Sequence, residues 1–327
     1  MRICLVALIA ALMATCLWPM AASAQATAYP TKPVTIIVPA APGGVTDLLG
    51  RMLAQRFTEA WGQQAIVENK PGANNQIAAE YVTKAPADGY TLMIGPETTF
   101  VVNPSLYPQL GYDPVHGFTP ISALVRINHA LITHPSLPIA NVKELIDLAR
   151  RKPGEINYGT FGVGSSGHLN MELFQALSGV KFQAVHYKGA TPALNDVIAG
   201  HIQMMFISAG SAVPQWKADK VKFIAVGAGK RLALLPEIPT VAESGLPGYE
   251  AVSWFGLFGP PGMPAEVVSK INAEVRKIMV DPEVRRTLLD QQYFEPIAGT
   301  PEELVAYIKA DEPKWRKVIT EAKVKPE

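Results

Sequence analysis

Short apolar runs alternate along the chain with stretches whose apolar residues recur three and four positions apart, the rhythm of strands handing over to helices. Val34–Val38 is the first such run. Leu48, Leu49, Met52, Leu53, Phe57 and Trp61 then follow helical spacing, with Thr46 or Asp47 placed to cap the helix and Gly62 to close it. Ile66–Glu68 reads as a short strand, Gly72–Asn75 leads into a helix through Tyr81 and Val82, and Asp88-Gly89 turns into a buried strand from Tyr90 to Ile94. This order predicts a parallel αβ sheet.

Strand-like residues from Ile121 to Ile127 and from Ala130 to Thr133 then carry the chain into a second unit, where the pattern repeats. Asn141–Glu144 has the form of a capping box before Leu145, Ile146 and Leu148, and Lys152-Pro153-Gly154 ends that helix. A helix carrying Leu169, Leu173, Phe174 and Leu177, strands over Ile202–Ile207 and Val221–Val226, and a helix over Pro192–Ala199 between them complete the unit. From Glu250 to Pro260 the chain turns apolar and glycine-rich again, as if returning to the first unit. Helices over Pro264–Met279 and Glu283–Leu289 follow, then one entered by the capping box Thr300-Pro301-Glu302-Glu303, which Pro313 should kink or split. The expected architecture is two αβ domains, residues 25–124 with 251–327 and residues 125–250, joined by two hinge crossings around a central cleft.

The first 24 residues stand apart from this pattern. Arg2, an apolar run from Ile3 to Leu17 and the small-residue triplet Ala22-Ser23-Ala24 have the order of a cleavable secretory signal, too short for a lasting membrane span. Cys16 offers a lipoprotein alternative, which Thr15 in front of it disfavours. Export follows as the expectation. Both cysteines lie in the leader, so the mature chain has neither a disulfide nor a thiol nucleophile. The 29 Lys and Arg lose Arg2 with the leader and then balance the 28 Asp and Glu. Without a basic block, nucleic acid and anionic membrane surfaces are not expected partners.

Two glycine-rich turns fall where a strand hands over to a helix: Pro39–Asp47 and Gly159–His168. Glycine admits close backbone approach, and a helix start offers unpaired N–H groups at the positive end of its dipole, which together favour a carboxylate or phosphate. The hydroxyls of Thr46, Thr160, Ser165 and Ser166 would add donors. Asp47 belongs to its turn but is pictured facing away from an anion. His168 reads equally as a ligand contact or as a locally satisfied buried group, and Trp254 and Phe255 read as hinge and core packing more than as a stacking platform.

Other chemistries find little support. Gly162–Gly167 fits the dinucleotide fingerprint, but the acid expected about twenty residues on is missing around Val185–Lys188. The same stretch fails GxSxG because His168 takes the last glycine position, and no base is seen paired with a candidate serine. The six histidines show neither HxH nor HExxH spacing, so no metal and no cofactor are expected. An exported esterase-like αβ enzyme and a ligand-sensing module for a signalling partner stay open as alternatives to a binding protein.

Over the mature length the chain resembles the periplasmic solute-binding receptors of tripartite tricarboxylate transporters, the Bug-type receptors. The resemblance lies in Tyr29–Val34 with Pro42–Asp47, Ala87–Leu92, Asn103–Tyr107, Tyr112-Asp113-Pro114 with Phe118-Thr119-Pro120, Tyr187-Lys188-Gly189 and Pro239–Tyr249. It implies a type II periplasmic-binding-protein fold that captures a small carboxylate-bearing solute by closure, acts as a monomer and presents the solute transiently to an integral-membrane permease. The implied carboxylate seat comprises the loops matching Pro42–Asp47, Pro96–Phe100 and Thr160–His168. The candidate ligand-binding set is therefore Pro42, Gly43, Gly44, Thr46, Asp47, Thr98, Thr99, Thr160, Gly162, Gly164, Ser165, Ser166, His168 and Ser208. Three departures stand out: Asn74 and Asn75 where glycine is usual, Ile207 where an aspartate is usual, and the atypical loop Pro96–Phe100. The Ile207 change points to an apolar or aromatic body in the solute.

Overall fold

The strands of the chain, in order, are β1 Val34–Val38, β2 Ala65–Asn69, β3 Thr91–Pro96, β4 Thr119–Thr133 and β5 Asn157–Thr160. β6 Gln183–His186, β7 Met204–Ser208, β8 Lys222–Val226, β9 Val252–Gly259 and β10 Phe294–Pro296 follow. The helices are α1 Val45–Trp61, α2 Gln76–Thr83, α3 Asn103–Leu106, α4 Val142–Arg151 and α5 Ser166–Ser178. Then come α6 Ala190–Ala199, α7 Ala209–Lys217, α8 Ala265–Val280, α9 Pro282–Arg285 and α10 Pro301–Glu321. This computed structural model describes residues 29–326, so the expected leader and its cleavage point lie outside the described residues. Residues up to Thr31 group apart from Lys32–Glu327, and all that follows concerns the latter unit.

The ten strands make one sheet, in the order β2-β1-β3-β9-β4-β7-β5-β6, with β8 and β10 also paired to β4. It is mixed, not parallel throughout. β1, β2 and β3 run parallel, as do β5, β6 and β7, while β9 runs antiparallel to both β3 and β4. The 15-residue β4 ties the two parallel arms together: up to Asn128 it pairs with β9, and from His129 onward with β7. The two runs read from the sequence are thus one strand. The polar pair Asn128-His129, which looked like a break, is buried and bonded, Asn128 Nδ2 to Glu295 Oε1 at 3.2 Å and His129 Nε2 to Ser253 Oγ at 2.9 Å.

Helix ends show where local chemistry decided matters. α1 starts at Val45 with Gly44 as its N-cap residue, so Thr46 and Asp47 sit in its first turn and do not cap it, while Gly62 closes it in the left-handed conformation. Asn141 caps α4 by accepting Glu144 N, but the Glu144 carboxylate reaches back to Ala140 N, one residue beyond the N-cap N–H of the expected box. The box at Thr300 and Glu303 is complete. The expected helix over Glu283–Leu289 divides into α9 and a π-helical turn, Arg286–Gln291. α10 runs through Pro313 without ending, because buried Leu304 on one side and Trp315, Val318 and Ile319 on the other anchor both halves. Thr300→Ala removes the cap and is expected to lower stability by about 1 kcal/mol. Urea unfolding checks this.

Candidate functional site

β1, β3, β5, β6 and β7 all direct their C-terminal ends at one cavity of about 590 Å³, the side on which open α/β sheets bind ligands. Four helices begin on its wall. α1 enters with Gly44 and Thr46, α5 with Ser165 and Ser166, α6 with Gly189 and Thr191, and α7 with Ser208 and Ser211. No side chain caps α1, α6 or α7. The unpaired N–H groups of their first turns and the positive ends of their dipoles therefore act on the cavity. Neither Lys, Arg nor Asp lines it among the described residues, and Glu97 is its one acid. Such a site attracts an anion through fixed partial charges, without a counter-ion.

Of the residues named from the sequence, Gly43, Gly44, Thr46, Thr98, Ser165, Ser166 and Ser208 are brought together on this wall. Pro42 is exposed and outside it. Asp47, Thr99, Thr160, Gly162, Gly164 and His168 stand off the wall, and most of them shape it. Thr160 Oγ1 accepts Gly162 N at 3.2 Å and meets His186 Nδ1 at 2.8 Å. His168 Nδ1 accepts Gly164 N at 3.1 Å, which requires a neutral ring. Burial, with His186 beside it, pushes the His168 pKa down to about 4. Gly164 is left-handed at φ +73°, and a Cβ there would come within 2.6 Å of Leu106 Cδ2. Thr99 is fully buried, and its carbonyl accepts Tyr112 OH at 2.7 Å.

Asp47 holds the first glycine turn from behind. Its Oδ2 accepts Gly43 N at 2.9 Å and Arg51 Nε at 2.8 Å, and its Oδ1 accepts Asn69 Nδ2 at 2.9 Å. The Arg51 guanidinium above all, with the Gly43 and Asn69 donors and against the cost of burial, holds its pKa down to about 2. A depressed pKa means that this stabilisation is full above the ordinary value of 3.8 and is lost as pH falls through about 2. Asp47→Asn is expected to remove that acid-limb decline from a stability-versus-pH curve and to loosen the turn, weakening ligand binding. Equal acid limbs in the two proteins would refute the assignment.

On the cavity floor, the resemblance reached Glu97 only as part of the loop Pro96–Phe100, and sequence reasoning missed His129 and Ser253. Glu97, His129 and Ser253 come from β3's end, β4 and β9, far apart in the chain, and all three line the cavity while almost wholly buried. Ser253 Oγ donates to Glu97 Oε1 at 2.9 Å and lies 2.9 Å from His129 Nε2. A serine with a neighbouring base therefore does exist, contrary to the sequence reading. Burial first, then Asp311, pushes the Glu97 pKa up to about 8, and burial pulls that of His129 down to about 4. The turn ahead of α6 was also missed, because that helix starts at Ala190, two residues before the expected Pro192. Its N-cap Gly189 has φ +130°, the mark of a third glycine turn. Trp254 packs as expected, its Nε1 donating to Asp311 Oδ2 at 2.9 Å, yet it also forms part of the wall with Phe161 and Phe255.

Fold and site together define a solute-binding protein of the periplasmic type. The chain belongs to the tripartite tricarboxylate transporter receptor family, whose model matches residues 49–324. Its structure is similar to that of Rhodopseudomonas palustris Rpa4515 with adipate, at 37% identity and a TM-score of 0.85 over 91% of this chain and 100% of that one. It is also similar to the periplasmic binding protein BugD, at 32% identity and a TM-score of 0.81 over 91% and 100%. MatC from Rhodopseudomonas palustris with bound malate gives 31% identity and a TM-score of 0.79 over 89% and 100%.

Proposed function

We propose that this receptor captures a small organic carboxylate in the cavity ringed by α1, α5, α6 and α7, and hands it as a monomer to an integral-membrane permease. In this reading the leader 1–24 exports the chain, and residues 25–124 with 251–327 form one lobe that closes on the other, 125–250. The observation that carries it is the convergence of four helix starts, three without side-chain caps, on a cavity lacking any cation. Similar structures holding adipate and malate support the same class of solute. Hydrogen bonds to a charged group contribute roughly 1.5–3 kcal/mol each, so four or five offset the association cost and leave about 8 kcal/mol, a micromolar constant.

The Ser253–His129 pair favours a second reading, a hydrolase. Its acid is misplaced for that work: Glu97 bonds the serine, whereas a catalytic triad needs the acid on the other ring nitrogen of the histidine. Titration calorimetry with adipate and malate, followed by recovery of each acid, tests the proposal. Stoichiometric binding of an unchanged acid is the expected result. Ester turnover abolished by Ser253→Ala, with no stoichiometric binding, would establish the enzyme instead.

A further inference from the structure

Two stretches far apart in the chain meet backbone to backbone beside the cavity. Gly210 is the second residue of α7, and a Cβ built on it would lie 2.5 Å from Gln292 O and 3.0 Å from both Gln292 C and Gln292 Cα. Gln292 follows the π-helical turn Arg286–Gln291 and lines the cavity together with Ser208 and Ser211 of the α7 start. Gly210 is not left-handed, and in a helix alanine is the better residue. What the glycine supplies is space. The corner it meets is braced: Tyr293 is left-handed at φ +55°, its N–H bonds Leu289 O at 3.0 Å, and its side chain packs against the apolar cluster that includes Ala209, Ala212 and Val213. At Gly164 an added Cβ would meet the end of the Leu106 side chain, which can turn aside. At Gly210 it would meet main chain, which cannot.

We propose that Gly210 is a positioning residue for solute capture: by lacking a side chain it seats the start of α7 against the Gln292 backbone, and this seat sets how far the two lobes shut on the solute. This rests on the two-lobe carboxylate-receptor reading above, in which Gly210 belongs to 125–250 and Gln292 to 251–327. The contact lies beside the crossing. Ser208 pairs with His129 and Phe294 with Ile127, so each partner stands two residues from the point where β4 passes from β9 to β7. A spacer so near a hinge is magnified at the far side of the cavity, because a small separation at the axis becomes a larger one at the end of the lever. In Gly210→Ala the added methyl group must push the α7 start or the Gln292 corner away, and the fully shut arrangement becomes less populated. Any solute that needs that arrangement then binds more weakly by the fraction lost, whatever its own contacts. The loss is one common factor.

Calorimetry with adipate and with malate on the full-length mature protein, unmodified and as Gly210→Ala, provides the first test. Both affinities are expected to fall by the same factor, roughly 5- to 100-fold, the cost of overpacking a tight contact by a methyl group. A second readout follows the lobes themselves. Lys84→Cys and Lys143→Cys, exposed and one in each lobe, take spin labels without interference, because both natural cysteines leave with the leader. At saturating adipate the label separation in Gly210→Ala should settle at a value different from that of the labelled parent. Should Gly210→Ala fail to fold, Tyr293→Gly takes its place: glycine suits the left-handed backbone and removes the side chain that braces the corner, so both acids should again weaken by one common factor and the separations broaden. Unchanged affinities in a folded variant would overturn the proposal and leave the carboxylate reading intact. So would a loss confined to one acid, which marks a solute contact instead of a seat. Binding of neither acid to the unmodified protein would overturn both.

Discussion

In Gly44→Val, carboxylate affinity is expected to fall by roughly a hundredfold or more, the loss of two charge-assisted hydrogen bonds at the start of α1. The backbone there allows the change: φ is −86° and ψ is 177°, an extended conformation that suits valine. An added Cβ meets no atom closer than Ala41 O at 4.0 Å, so the side chain enters the cavity and not the core. Stability should drop by at most about 1 kcal/mol, because valine is a poorer N-cap than glycine. The neighbouring glycine behaves oppositely. Gly43 lies at φ +92°, and although a Cβ there meets nothing within 4 Å, alanine would strain the backbone by about 1–2 kcal/mol. Melting curves and calorimetry on the pair therefore separate a binding defect from a folding defect. Unchanged affinity in a folded Gly44→Val protein would remove the carboxylate from the α1 terminus.

Local chemistry carried the sequence reading a long way. The glycine turns ahead of α1 and α5 and the Thr300 box are encoded within a few residues and appear where the pattern put them, whereas β4 merges two expected strands and α6 starts two residues early. The glycine turn ahead of α1 likewise gave away three wall residues, Gly43, Gly44 and Thr46. What stayed hidden depends on tertiary placement. Thr98 and Thr99 are indistinguishable by composition, yet the π-helical turn over Thr98–Val102 puts the first on the cavity wall and buries the second completely. Thr160 stood in the implied seat and His168 read equally as a ligand contact or a satisfied buried group; both lie off the cavity wall and accept N–H groups of the second glycine turn, Gly162 N and Gly164 N. Glu97, His129 and Ser253 meet only because β4 and β9 lie side by side, and no spacing along the chain announces that. Pro313 misled because the proline penalty is local, whereas the burial that offsets it comes from residues on both sides of the break.

Ile207→Asp is expected to reverse the cavity's preference and to cost several kcal/mol of stability. Ile207 is 2% exposed, pairs with Ala130 across β4 and β7, and lines the cavity just before Ser208 opens α7. Losing a buried isoleucine removes about 2 kcal/mol of apolar burial, and a carboxylate at that depth adds a desolvation cost with no cation to meet it. Burial also fixes the pH dependence. The new acid would have a folded-state pKa above its unfolded value, so the penalty is largest at neutral pH and shrinks as pH falls to about 4. Ile207→Asn, polar but uncharged, should show the burial loss without that pH dependence. For solutes the sign is equally definite: on the wall of the cavity that Glu97 also lines, a carboxylate at 207 offers an acceptor and repels anions, so adipate should weaken by about tenfold or more while amine- or hydroxyl-ended carboxylates gain. Calorimetric profiling of both variants, alongside urea unfolding at pH 4 and pH 7, tests the two halves separately. An unaltered solute profile with a pH-independent stability loss would place the Ile207 side chain against the core alone and leave the far end of the solute to other groups.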